Sequence, residues 1–141
     1  MTILCIDDDP ATRALTVRTV GKAGYKVQSA SNARAGLELA ARIPDLVMII
    51  LDIHMPEING YEALDLIRTF PALANVPVLM VTSTADPKGT REKGLSHGAC
   101  DVVIQPVSDE ALLEPVRKAL GAAAGAESST SSSPIPEDDQ S

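Results

Sequence analysis

The sequence predicts an α/β domain with a five-stranded parallel sheet and helices on both faces. Three observations carry that prediction. Five short apolar runs alternate with five helical segments along the first 120 residues. One run, LVMIIL at residues 46–51, is apolar without alternation, the pattern of a strand covered on both faces. The helical segments open on cap signals such as Asp9-Pro10 and Asp86-Pro87, and two of them close at Gly24 and Gly98.

Taken in order, Thr2–Ile6 is a short strand rich in β-formers. Asp9 then offers a cap acceptor and Pro10 a first helical residue. Ala14, Val17 and Val20 space as the inward face of that helix, which closes at Gly24. Residues 25–30 read as the second strand. Ser31 and Asn32 cap a helix through Arg42, with Leu37, Ala40 and Ala41 on one face. Residues 46–51 form the third strand. Residues 60–70 are helical, with Leu64 and Ile67 three apart. Residues 76–81 (VPVLMV) are the fourth strand, with Pro77 near its start, where a missing N–H is tolerated. A helix from Pro87 to about His97 and a short strand at residues 102–104 follow. Ser108 caps the last helix through Leu120, with Leu112, Leu113, Val116 and Leu120 inward. Pro115, inside it, is expected to kink that helix or delay its start. The crossovers are expected to be right-handed.

This organisation gives a domain at residues 1–120 and a tail at residues 121–141. The tail runs through Ala and Gly into Ser, Pro and acids, with almost nothing apolar to bury, so disorder is expected. It reads as a solubilising tail or as a linker to another domain. The formal net charge is -7, and the tail carries four of the 19 acids and none of the 12 bases.

Composition also excludes function classes. Tyr25, Tyr61 and Phe70 are the aromatics, 2% of the chain, so bases find little to stack on. With no basic face either, no nucleic-acid partner is expected. No run approaches the roughly 18 apolar residues of a membrane span. The first residues lack a secretory signal, so a cytoplasmic location is expected. Cys5 and Cys100 lie in or beside apolar runs and read as buried free thiols in a reducing compartment. His54 reads as an exposed loop residue and His97 as a helix-end cation, too far apart in sequence to suggest a zinc site. Met48 and Met80 read as core filler.

In open sheets of this class, the binding crevice lies at the carboxyl ends of the strands. The first strand ends in Asp7-Asp8-Asp9, the third in Asp52, the fourth in Thr82-Ser83-Thr84 and the fifth in Gln105-Pro106. Carboxylates gathered at one edge repel one another unless a hard divalent cation joins them. Mg²⁺ takes one or two carboxylates, keeps several waters and accepts phosphate oxygens. Asp7 or Asp8 with Asp52 offers such a half-site, and the Thr82 hydroxyl can hydrogen-bond an oxyanion. An ionised Asp there can act as a nucleophile and form an aspartyl phosphate. Each residue alone also has a plain structural role: Asp9 as a helix cap, Asp52 as a turn residue, Thr82 as a backbone partner.

The joint pattern resembles the receiver domain of bacterial two-component response regulators. The matching stretches are ILCIDDDP at residues 3–10, LDIHMPEINGYEAL at 51–64, VLMVTS at 78–83 and GACDVVIQP at 98–106. The spacing of Asp52, Pro56 and Gly60 is the most specific to that family. The resemblance covers residues 1–120. It implies a flavodoxin-like, chemotaxis-regulator-like fold with sheet order 2-1-3-4-5. It implies Mg²⁺ dependence and phosphoryl transfer from a histidine kinase or a histidine phosphotransfer protein, with changed affinity for a downstream protein target. By position, Asp52 matches the phosphoacceptor, and Asp7 and Asp8 match the acidic metal pair. His54 matches the residue whose backbone carbonyl completes the metal site. Thr82 matches the switch hydroxyl, and Ser83 the small residue after it.

Two positions depart from the family. Gln105 replaces the family lysine, so a hydrogen-bond donor stands where a positive charge is expected. Val102 stands where the family often has Tyr or Phe, so no ring is available to change rotamer. These departures keep a second reading in view: a receiver-like scaffold that binds a partner without regulated phosphorylation. An enzyme reading is weaker. Asp7 and Asp9 match the Asp-x-Asp start of haloacid-dehalogenase-type phosphatases, but Asp52, Pro56 and Gly60 have no place in that pattern.

Overall fold

The computed structural model describes residues 1–105 and 108–127, of which 122–127 are described as helical backbone. Its strands are β1 (Thr2–Ile6), β2 (Lys26–Ala30), β3 (Leu46–Asp52), β4 (Val78–Thr82) and β5 (Asp101–Ile104). They form one parallel sheet in the order β2-β1-β3-β4-β5, as the resemblance implied. The helices are α1 (Pro10–Lys22), α2 (Ala33–Ala40), α3 (Gly60–Arg68), α4 (Pro87–Ser96) and α5 (Asp109–Glu127). A 3-10 turn at Pro71–Leu73 lies between α3 and β4.

Strand periodicity divides the core into two layers. Leu4, Ile6, Ile49, Leu51, Val78, Met80 and Val102 pack with Ala33 and Ala40 of α2 and Ala63, Leu64 and Ile67 of α3. The alternate residues Ile3, Met48, Ile50, Leu79, Val81 and Val103 pack with Val20 of α1 and Leu112, Leu113, Val116 and Leu120 of α5. The continuously apolar β3 feeds both layers, which explains its lack of alternation. Met48 and Met80 are fully buried.

The caps follow the sequence closely. Asp9 accepts from Thr12 N–H at 2.9 Å, Asn32 from Ala35 N–H at 2.8 Å, and Asp86 from Gly89 N–H at 3.1 Å. Ser108 accepts from Ala111 N–H at 3.1 Å. Gly24 and Gly98 stand just past α1 and α4 at φ 105° and 102°, a conformation that suits glycine.

Several expectations are corrected. Ala14 is exposed, and the buried face of α1 is Thr16, Thr19 and Val20. The α2 helix stops at Ala40, leaving Ala41 as an exposed C-cap and Arg42 outside. Tyr25 precedes β2, and Val76 and Pro77 precede β4. The α3 helix ends at Arg68 because Pro71 opens the 3-10 turn, so residues 69–70 are not helical. Pro115 does not delay α5, which begins at Asp109 and runs past Leu120 to Glu127. Cys5 is buried as expected, but Cys100 is exposed. Pro106 and the Ser/Pro/acidic stretch at residues 128–141 lie outside the described residues. Among the described residues, no helix is long and apolar enough to cross a membrane.

Candidate functional site

Strand register brings the predicted residues to one edge. Ile6 pairs with Leu51, so Asp7 and Asp52 are the next residues along the two central strands. Asp52 pairs with Val81, and Thr82 with Ile104. Thr82 and Gln105 are therefore the following steps on the neighbouring strands, and Gln105 N–H donates to the Thr82 carbonyl at 2.7 Å.

Carboxylate oxygens of Asp7, Asp8 and Asp52 all lie within 4.8 Å of one another. Asp7 is 6% exposed, while Asp8 and Asp52 are half-buried. Asp7 is gripped on three sides. Its N–H donates to the Ala30 carbonyl at 3.1 Å, one of its carboxylate oxygens accepts Asp9 N–H at 2.9 Å, and its carbonyl accepts an Arg13 guanidinium N–H at 2.7 Å. Asp52 accepts the His54 N–H at 3.3 Å.

Burial of so many negative groups shifts their protonation. Desolvation, and then the charge of Asp7, push the Asp52 carboxyl up to about 7, against the opposing pull of the His54 N–H. Asp7 is also raised, first by burial and then by Asp8 and Asp9, while the Asp9 N–H opposes the shift. Beneath them the Cys5 thiol is pushed up to about 12 by burial and by Asp7, which keeps it protonated and inert. Three half-buried or buried carboxylates, all hard oxygen donors, fit a hard divalent cation such as Mg²⁺.

The structure explains one part of the motif that the residues alone did not. A Cβ on Gly60 would stand 2.5 Å from the Asp52 carbonyl oxygen and 2.7 Å from Ile53 Cα. Gly60 N–H donates to the Ile53 carbonyl at 2.8 Å. Glycine is needed there because the start of α3 rests directly on the backbone of Asp52 and Ile53. The intervening loop turns at Glu57, with φ 68° and an Ile58 N–H bond to the Pro56 carbonyl at 2.7 Å.

Thr82 is 1% exposed, and its hydroxyl donates to the Ser83 carbonyl at 3.2 Å. Gln105 and Ser83 line one end of a groove of about 360 Å³ between α1 and α5, with Thr12, Thr16 and Asp109. Val102 is buried, and its Cγ2 would lie 2.5 Å from a Cβ on Gly94 of α4. His54 is exposed, as expected. His97 does stand at a helix end, where its Nδ1 lies 3.0 Å from Asp65 of α3. Sequence reasoning missed Arg13 and this α3–α4 bridge. The signal for Arg13 was its place four residues after the Asp9 cap.

The response regulator receiver domain model matches residues 3–117. The transcriptional regulatory protein HprR of Escherichia coli is 36% identical over 120 residues, 85% of this chain and 52% of its own length. The DNA-binding dual master transcriptional regulator RpaA of Synechocystis is 36% identical over 119 residues, 84% of this chain and 48% of its own. The chain thus spans about half the length of these two relatives, and 24% or less of several others. Among solved structures, the chemotaxis protein CheY4 of Vibrio cholerae superposes with a TM-score of 0.76 at 28% identity. That match covers 84% of this chain and 97% of CheY4. With the family's sheet order, its acidic cluster at the strand ends and a family match spanning nearly the whole described chain, this protein belongs to the response regulator receiver domain family.

Proposed function

We propose that this domain is a phosphoacceptor in a two-component or phosphorelay system, taking a phosphoryl group on Asp52. The observation that carries the reading is the mutual approach of Asp7, Asp8 and Asp52 within 4.8 Å at the carboxyl edge of the sheet. Asp7, Asp8, Asp52 and the His54 backbone carbonyl would hold Mg²⁺. When bound, that ion offsets carboxylate repulsion and the charge of the incoming phosphoryl group.

The residues of the chain do the rest. The ionised Asp52 carboxylate attacks phosphorus in line; the bond from phosphorus to the donor nitrogen of a phosphohistidine breaks. The imidazole leaves with the electron pair and takes up a proton. The Thr82 hydroxyl turns from the Ser83 carbonyl to donate to a phosphoryl oxygen. Gln105 offers an amide N–H at the same edge. The donor is a histidine kinase or a histidine phosphotransfer protein, and a downstream protein target reads the surface of α4, β5 and α5. The domain acts as a cytoplasmic signalling module and not as an enzyme with its own turnover.

Gln105 favours a second reading, the scaffold without regulated phosphorylation, because it leaves the phosphoryl group without a cation from β5. Acetyl phosphate with Mg²⁺ separates the two. Under the first reading, intact-mass analysis finds one added phosphoryl group on the wild-type chain and none on Asp52→Asn. No labelling of wild type, together with labelling of Gln105→Lys, would leave the scaffold reading in its place.

A further inference from the structure

We propose that Arg13 is a positioning residue for the divalent-cation half-site, presenting Asp7 and Asp8 through the main-chain carbonyl between them. The inference rests on the reading above and concerns a residue outside the acidic constellation.

The geometry starts with the direction of helical side chains. In an α-helix they lean toward the N-terminus, so a residue in the first full turn covers the loop before it. Arg13 is in that position: its own N–H donates to the Asp9 carbonyl at 2.9 Å, and its guanidinium reaches back to the Asp7 carbonyl at 2.7 Å. The Asp7 carbonyl lies one residue past the last paired position of β1, so neighbouring strands do not supply its donor. A partly buried carbonyl needs one, and a guanidinium makes a short, charge-assisted bond.

That bond does more than satisfy an oxygen. The carbonyl of Asp7 and the N–H of Asp8 belong to one planar peptide unit. Fixing the carbonyl fixes the plane, and with it the direction in which the Asp8 Cα leaves. The Asp7 side is held independently by Asp9 N–H and by the Ala30 carbonyl. The Asp8 carboxyl faces Asp52 within the cluster, and the peptide plane sets the position of the Cα from which it projects. Arg13 is also the cation bonded to this cluster among the described residues, in a site where Gln105 brings none. Groups that orient metal ligands without touching the metal commonly carry 10- to 100-fold in affinity.

The test is a Mg²⁺ titration of the full chain followed by amide spectra, for wild type, Arg13→Met and Arg13→Lys. Met keeps most of the buried stem and removes the donors and the charge. Lys keeps a charged donor. The expected result is Mg²⁺ affinity about tenfold weaker in Arg13→Met and largely recovered in Arg13→Lys. The melting temperature without Mg²⁺ should fall modestly in Arg13→Met, which leaves the Asp7 carbonyl without its donor, and stay near wild type in Arg13→Lys, while the rise on adding Mg²⁺ shrinks in Arg13→Met alone. Arg13→Met binding Mg²⁺ like wild type would overturn the inference. So would an equal rise in melting temperature on adding Mg²⁺ in Arg13→Met and wild type, which would leave the lost hydrogen bond with a structural effect alone. Failure of the wild type itself to bind Mg²⁺ would instead remove the metal site on which both readings stand.

Discussion

At the end of β5, the main-chain N–H of Gln105 is already committed to Thr82, so the two strand ends are tied whatever side chain follows. Gln105→Lys therefore changes the charge at that edge without changing the backbone bond. A charge-assisted bond to an oxyanion is roughly twice as strong as a neutral one, a difference on the order of 1 kcal/mol. At limiting acetyl phosphate, Gln105→Lys should raise the phosphorylated fraction about fivefold, measured by intact mass. An unchanged fraction would mean that residue 105 does not meet the phosphoryl group. Gly60 offers the opposite kind of test. Its hypothetical Cβ meets backbone atoms of Asp52 and Ile53, and backbone cannot swing aside as a side chain can. Gly60→Ala should cost about 1–3 kcal/mol in urea unfolding. Wild-type stability in that variant would show that the start of α3 can lift off the Asp52 backbone cheaply.

The element that differs most from a well-anchored helix is α4. Gly94 is its buried residue, seated against Val102, while Leu95 is 46% exposed. Exposed polar pairs surround that contact. Arg91 pairs with Asp101 of β5 at 2.7 Å, Lys93 lies 4.4 Å from the Tyr61 ring centroid, and His97 meets Asp65. These pairs are exposed, and each contributes little. Helix position should therefore depend on the Gly94–Val102 contact. Gly94→Ala gains helix propensity of up to about 1 kcal/mol but forces a methyl onto Val102. In a double-mutant cycle with Val102→Ala, the two changes should couple by about 1 kcal/mol or more, since the smaller residue makes room. Additive effects would show that α4 is held elsewhere. This contact also marks where the sequence stopped being readable. Residues 46–51 declared a doubly covered strand because burial acts on each residue's own hydropathy. The closeness of Gly94 to Val102, or of Gly60 to Asp52, depends on a partner distant in sequence. Ala14 and Thr16 show the same limit on α1: the more polar residue is the buried one, because the orientation of the helix against the sheet and α5 decides. The acidic edge was legible because parallel strands of matched register must end together. Arg13 was not, because its partner is a main-chain oxygen that no residue type announces.

For the whole molecule, the acidic edge is a stability term with a sign. The folded Asp52 carboxyl sits at about 7 against an ordinary value of 3.8, and Asp7 moves in the same direction, in both cases chiefly because burial penalises the ionised form. Between those values the metal-free folded state holds a proton that the unfolded chain has released. The contribution is fully present below the unfolded pKa and is lost as pH rises through the folded one. Asp9 and Asp45 act oppositely: hydrogen bonds from Thr12, and from the N-terminus and Thr2, hold them below the ordinary range. Their contribution is lost only as pH falls through those lowered values. The window from about pH 4 to about pH 7 therefore belongs to the Asp7–Asp52 pair, and the metal-free domain should melt at a lower temperature at about pH 8 than at about pH 5. At the proposed metal site, Mg²⁺ would compete with the proton for the same oxygens. It should raise the melting temperature strongly at the higher pH and little at the lower one, reversing the order. Asp52→Asn, neutral at both pH values, should flatten the metal-free difference and weaken the response to Mg²⁺. Calorimetric scans of the two chains at both pH values, with and without Mg²⁺, decide it. A metal-free melting temperature that climbs from pH 5 to pH 8 in wild type would mean that carboxylates outside this edge govern the acid response.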